Sequence, residues 1–110
     1  MLVVRTDLDM GRGKIAAQAA HAAVAAALSS LGSEAFDEWA DDGQPKVVCR
    51  VDGADELYNI VQQATEAGVP AGVIHDAGRT QVDPGTPTCA FVGPDRADRI
   101  DEITGELRLL

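Results

Sequence analysis

The sequence has 110 residues, 45% of them hydrophobic and 25% charged, with a formal net charge of −9 at pH 7. That length fits one domain over residues 1–110, with enough chain to bury a core, and the composition excludes a disordered polymer. No stretch approaches the roughly 20 apolar residues of a membrane span. The opening MLVVRTD turns polar too early for a signal peptide, and two cysteines are too few for a disulfide framework, so a cytoplasmic protein is expected.

Leu2 to Arg5 form a short apolar run and read as a first strand. An alanine-rich helix is expected from about Gly13 to Leu31, stopped by Gly32. Ser33 then caps a shorter helix carrying Phe36 and Trp39, which ends near Gly43. Lys46 to Val51 read as a second strand, in which Cys49 shares the period-two face of Val47 and Val51 and is expected in the core. Asp52 is a candidate N-cap for a helix from Ala54 to about Ala67, with Leu57, Ile60, Val61 and Ala64 on one face.

Pro70 to His75 give a third strand, and the polar loop DAGRTQVDPGTP follows, with Pro84-Gly85 suited to the centre of a type II turn. Thr88 to Gly93 form a fourth strand, and a last helix is expected from Asp95 to Ile103. The order β-α-α-β-α-β-β-α argues an α/β three-layer sandwich, a mixed four-stranded sheet with helices on both faces. The loop between the last two strands is long for a compact domain, and loops of that kind usually carry function.

Two places concentrate chemistry. Gly11, Arg12, Gly13 and Lys14 stand where the long helix begins. Helix starts offer unpartnered N–H groups and about half a positive charge, glycines let a ligand come close, and the two cations add full charges. The stretch reads either as a phosphate or carboxylate site or as an exposed helix entry with two stray cations. It is no Walker A loop, because Ile15 stands where a Ser or Thr is needed. Lys14, Gln18 and His21 share one helical face by their i, i+4, i+7 spacing, and Val24, Leu28 and Leu31 are expected to continue it as core. His21 taken alone reads more readily as a structural histidine hydrogen-bonded to a neighbour.

The second place is HDAGRTQ, where Asp76, Arg79 and Thr80 follow the third strand. Ligands in open α/β sheets gather at the carboxyl ends of strands. If the first and third strands run parallel, Asp76 meets the Gly11–Lys14 opening; the alternative is an Asx-turn. Thr86 and Thr88 bracket Pro87 and either reach the same cleft or are ordinary strand threonines. Two distant histidines and two strand cysteines do not make metal-ligand spacing.

The stretches VVRTDLDMGRGKIAAQAAHAAV, GQPKVV, DAGRTQVDPGTPT and ITGELRLL, in this order, resemble the type 2 peptidyl-tRNA hydrolases common to archaea and eukaryotes. The resemblance implies hydrolysis of the ester between a peptide and the 3′ ribose of tRNA, without metal or cofactor, which recycles tRNA released prematurely from ribosomes. It further implies a homodimer. It carries Lys14, His21, Asp76 and Thr80 as active-site polar residues, with Gln18, Thr86 and Thr88 beside them. Arg12 departs from the lysine more frequent in the family, which keeps the charge and changes its geometry.

Twelve Asp against six Glu and seven Arg against two Lys suit a cytosol with very high salt, where self-repulsion is screened; the alternative is an ordinary acidic protein from a mesophile. High salt also weakens counterion release. Binding of tRNA is therefore expected to rely on a small basic island of Arg12, Lys14 and Arg79, with Lys46 as a further member.

Overall fold

A computed structural model describes residues 1–79 and 81–110. The elements follow the expected order: β1 (Leu2–Arg5), α1 (Arg12–Ser30), α2 (Glu34–Asp41), β2 (Val48–Val51), α3 (Ala54–Glu66), β3 (Ala71–His75), β4 (Pro87–Val92) and α4 (Ala97–Thr104). The sheet runs β2-β1-β4-β3. β1 is parallel to β2 and antiparallel to β4, and β3 is also antiparallel to β4. Two strands antiparallel to the same neighbour run parallel to each other, so β1 and β3 end at the same edge of the sheet. That edge receives the start of α1 and the loop after β3.

Strand alternation sends side chains to two cores. Val3, Val51, Ala90 and Val92 pack with Leu57, Ile60 and Ala64 of α3, and Ile100 and Ile103 of α4 close that side. Leu2, Val4, Cys89 and Phe91 pack with Ala22 of α1 and its neighbouring alanines. Helices thus cover both faces, as the element order implies. Leu57 is fully buried, which stabilises the fold by about 1.5–3 kcal/mol relative to an exposed leucine. The free side of β2 is covered by residues 108–110, where Arg50 N donates to Arg108 O and Leu110 N to Val48 O. An open strand edge is thereby blunted.

Three local expectations change. Val24, Leu28 and Leu31 are 58%, 65% and 60% exposed rather than core. The buried side of α1 is mostly alanine, Ala19, Ala22, Ala23 and Ala26 with Ile15 against the sheet, and Val24, Leu28 and Leu31 stand roughly opposite. Alanines let the helix lie close to the strands, so size does not mark the inner face. Second, the N-cap of α3 is Gly53, not Asp52, whose carboxylate instead accepts the Thr6 hydroxyl at 3.0 Å. Third, Cys49 and Val51 are buried as expected, but Val47 lies ahead of β2 and is exposed. Ser33 does cap α2, accepting from Phe36 N–H at 3.1 Å. Residues 83–86 form the expected turn, with Thr86 N donating to Asp83 O and Gly85 at φ +81°.

Candidate functional site

α1 begins at Gly11, whose side of the helix carries no side-chain cap from its own sequence. Its N–H is instead taken by Gln81 Oε1 from the long loop, at 2.8 Å. The amides of Arg12, Gly13 and Lys14 then open the first turn, where a helix presents positive potential. Gly11, Arg12 and Gly13 are all exposed here.

Lys14 turns inward from that turn. Its side chain is largely buried and its Nζ donates to Asp76 Oδ1 at 2.5 Å. One helical turn on, Gln18 Nε2 donates to the same oxygen at 3.2 Å. The second carboxylate oxygen, Oδ2, accepts the Gly78 N–H at 2.6 Å. The Asx-type bond and the lysine pair, alternatives in the sequence, are therefore made by the same side chain. Gly78 is required there: its φ is +74°, and a Cβ would stand 2.4–2.6 Å from atoms of Pro84, including the backbone nitrogen.

Gln18 is itself held. Thr88 Oγ1 donates to Gln18 Oε1, and Cys89 Sγ donates to Gln18 O at 3.1 Å. Neighbouring strand residues normally face opposite ways, yet Thr88 and Cys89 both meet α1. The reason is a register shift: Ile74 pairs with Cys89 and His75 with Pro87, which leaves Thr88 as an extra residue in β4. A bulge of this kind re-aims a side chain. Among the described residues, no buried side-chain nitrogen or oxygen lacks a partner.

The Lys14 hydrogen bond holds the Asp76 carboxyl below the usual carboxylate range. Burial opposes this, and the Gly78 amide, the Lys14 charge and the more distant His21 add to it. Burial pushes the Cys89 thiol up to about 11 and raises Cys49 as well, so both behave as buried neutral thiols.

Of the residues singled out in the sequence, the structure gathers Lys14, Gln18, Asp76 and Thr88 into one bonded chain. Thr88 is fully buried and is linked to Asp76 through Gln18. His21 is exposed, further along α1 and within electrostatic reach of Asp76. Thr86 Oγ1 donates to Asp83 O at 2.7 Å, while its carbonyl accepts from Asp76 N and so fixes the loop. Arg79 is exposed on that loop, and Thr80 lies outside the described residues. Lys46 does not join the basic island: it precedes β2, at the sheet edge opposite the strand ends that carry Lys14 and Asp76, with its Nζ on Gln44 O and 5.4 Å from the Trp39 ring centre. Gln81 and Gly78 are contributors that sequence spacing does not reveal, since both act from an irregular loop. Among the described residues, no group of three or more His, Cys, Asp or Glu could hold a metal ion.

A family model described as peptidyl-tRNA hydrolase PTH2 matches residues 1–110. The chain belongs to this family. Relatives named peptidyl-tRNA hydrolase include one from Metallosphaera sedula, 51% identical, the match covering 100% of this chain and 97% of the relative. One from Thermoplasma volcanium is 50% identical over 100% and 96%. A third, from Halobacterium salinarum, is 47% identical over 99% and 96%. The family's match spans both α1 and the loop after β3, the two segments that meet at Lys14 and Asp76.

Proposed function

We infer that this chain hydrolyses the ester linking a peptide to the terminal ribose of tRNA, and so acts in translation. Beyond membership of the family, the observation that carries this reading is the Lys14–Asp76 pair at the open start of α1. Ester hydrolysis needs a positioned water and stabilisation of the tetrahedral oxyanion. A carboxylate has about four acceptor positions, and Lys14, Gln18 and Gly78 use three, which leaves room on Oδ2 for a water. Its lowered pKa makes Asp76 a weak base, which favours holding the water and the lysine over removing a proton.

Lys14 retains two N–H groups beyond the one given to Asp76, and these serve the developing oxyanion. The first-turn amides with Arg12 and Arg79 take the neighbouring phosphate. In the reaction, water oxygen bonds to the ester carbon, the bond from that carbon to the ribose oxygen breaks, and the water proton ends on the ribose oxygen. His21, within electrostatic reach of Asp76, is a candidate to escort that proton or water, and Thr80, the other candidate from the sequence, lies outside the described residues.

The test is incubation of purified protein with N-blocked aminoacyl-tRNA at high and low salt, with and without a chelator. Ester cleavage that persists with chelator is expected; no cleavage at any salt would refute the reading. No helix of the described residues is long and apolar enough to cross a membrane. The substrate and the acidic composition support a salt-rich cytoplasm as the setting.

The stripe of Val24, Leu28 and Leu31 supports a homodimer built on α1, since three large apolar side chains one or two turns apart make a contiguous patch. Leu28→Asp is expected to convert a dimer into a monomer in light scattering. A wild-type monomer at micromolar concentration would overturn the pairing.

A further inference from the structure

The edge of the sheet that carries Asp76 also carries a second group of side chains, on its other face. Along β3, Ala71 and Val73 pack toward α3 and Ile74 toward α1. His75 continues the alternation onto the α3 side, while Asp76 turns to α1. There the Tyr58 hydroxyl, from α3, lies 3.0 Å from His75 Nε2. The two ring centres are 6.3 Å apart, with planes inclined by 39°. Arg5, at the end of β1, is within electrostatic reach of Tyr58. Its Nη1 donates to Pro87 O at 2.9 Å, and its Nε and Nη2 form a fork on Asp7.

This arrangement is odd for a core. The chain has one Tyr, one Trp and two Phe, yet Tyr58 is 44% exposed and belongs to neither hydrophobic cluster. Buried aromatic area is a large source of stability, and here it is left in water. The ring is nevertheless held, because its hydroxyl is tied to His75. Fixing two aromatic side chains in advance removes part of the entropy cost of binding a flat ligand.

We propose that Tyr58 and His75 form a platform on which a nucleobase of an unpaired RNA 3′ end stacks. Single-stranded nucleotides are read in this way, on exposed aromatic faces beside cationic groups. Placement supports it: consecutive Cα atoms are about 3.8 Å apart, so the platform begins one residue from the carboxylate that faces the ester. The backbone of a bound strand would pass over the strand ends, from the rings on the α3 side to the amides at the start of α1. Naming RNA rests on the proposed hydrolase function, but the test reads binding alone.

The probe is the trinucleotide CpCpA, titrated into the whole chain and followed by NMR. In the wild type the ring signals of Tyr58 and His75 are expected to shift with the Lys14 and Gly13 signals. Tyr58→Phe keeps the ring but loses its tie to His75 and is expected to weaken binding by about threefold, whereas Tyr58→Ala weakens it by about tenfold. His75→Ala is expected to weaken it to a lesser degree. Shifts that spare both rings, or equal affinity of Tyr58→Ala and wild type, would overturn the platform. Absence of any binding would overturn it too. Loss of peptidyl-tRNA cleavage in the wild type would refute the hydrolase reading instead, and the titration would still report on the platform.

Discussion

Lys14→Met is expected to lower kcat for peptidyl-tRNA hydrolysis by about 10²–10³-fold, with a folded chain and a smaller change in KM. The magnitude is that of removing one donor to a developing oxyanion. Asp76→Asn is expected to match it, because an amide cannot hold the lysine ammonium as a carboxylate does. Since the two groups are joined at 2.5 Å, the double variant should fall little below either single one. Independent losses that multiply would show that Lys14 and Asp76 act separately.

The same substitution alters the response to acid. Asp76 is more acidic in the folded chain than its value of about 3.9 when unfolded, so folding binds fewer protons there. Its stabilisation is fully present above that unfolded value and is lost as pH falls through the folded one. Lys14→Met removes the largest cause of the shift. The gap in Tm between wild type and variant should therefore be widest near neutral pH and narrow below about pH 4. The acid limb of the variant's residual activity should also move upward. A gap in Tm that stays constant down to pH 3 would contradict the ion pair.

Local signals served the sequence well where chemistry or backbone geometry leaves a mark. Ser33 announced α2, Pro84-Gly85 announced its turn, and Leu57, Ile60 and Ala64 marked the inner face of α3 through their period. Lys14, Gln18 and Asp76 were legible because helical spacing and the rule for strand ends place them before any coordinates do. What failed was inference from size. In α1 the alanines face the sheet and Val24, Leu28 and Leu31 face outward, a choice set by how close helix and strands pack. The register shift at Ile74/His75 has no sequence mark either, because a bulge depends on pairing between strands. Gln81 likewise reaches Gly11 across 70 residues of chain, a separation that local patterning does not detect.

That bulge supplies the second large effect. Thr88→Val is expected to lower kcat by up to about 10²-fold, although residue 88 is fully buried and meets no substrate. The substitution keeps the shape and removes the hydroxyl that donates to Gln18 Oε1, so a buried acceptor loses its partner. Gln18 is then free to turn its amide, and the Nε2–H that steadies Asp76 Oδ1 is no longer fixed toward it. Lys14 and Asp76 can stay paired while the carboxylate swings, and a misplacement of about 1 Å suffices for a loss of that size. Thr88→Ser restores the hydroxyl and should recover most of the activity. A Thr88→Val enzyme with wild-type kcat would sever Thr88 and Gln18 from the reaction. Equal losses in Thr88→Val and Thr88→Ser would assign residue 88 to packing instead.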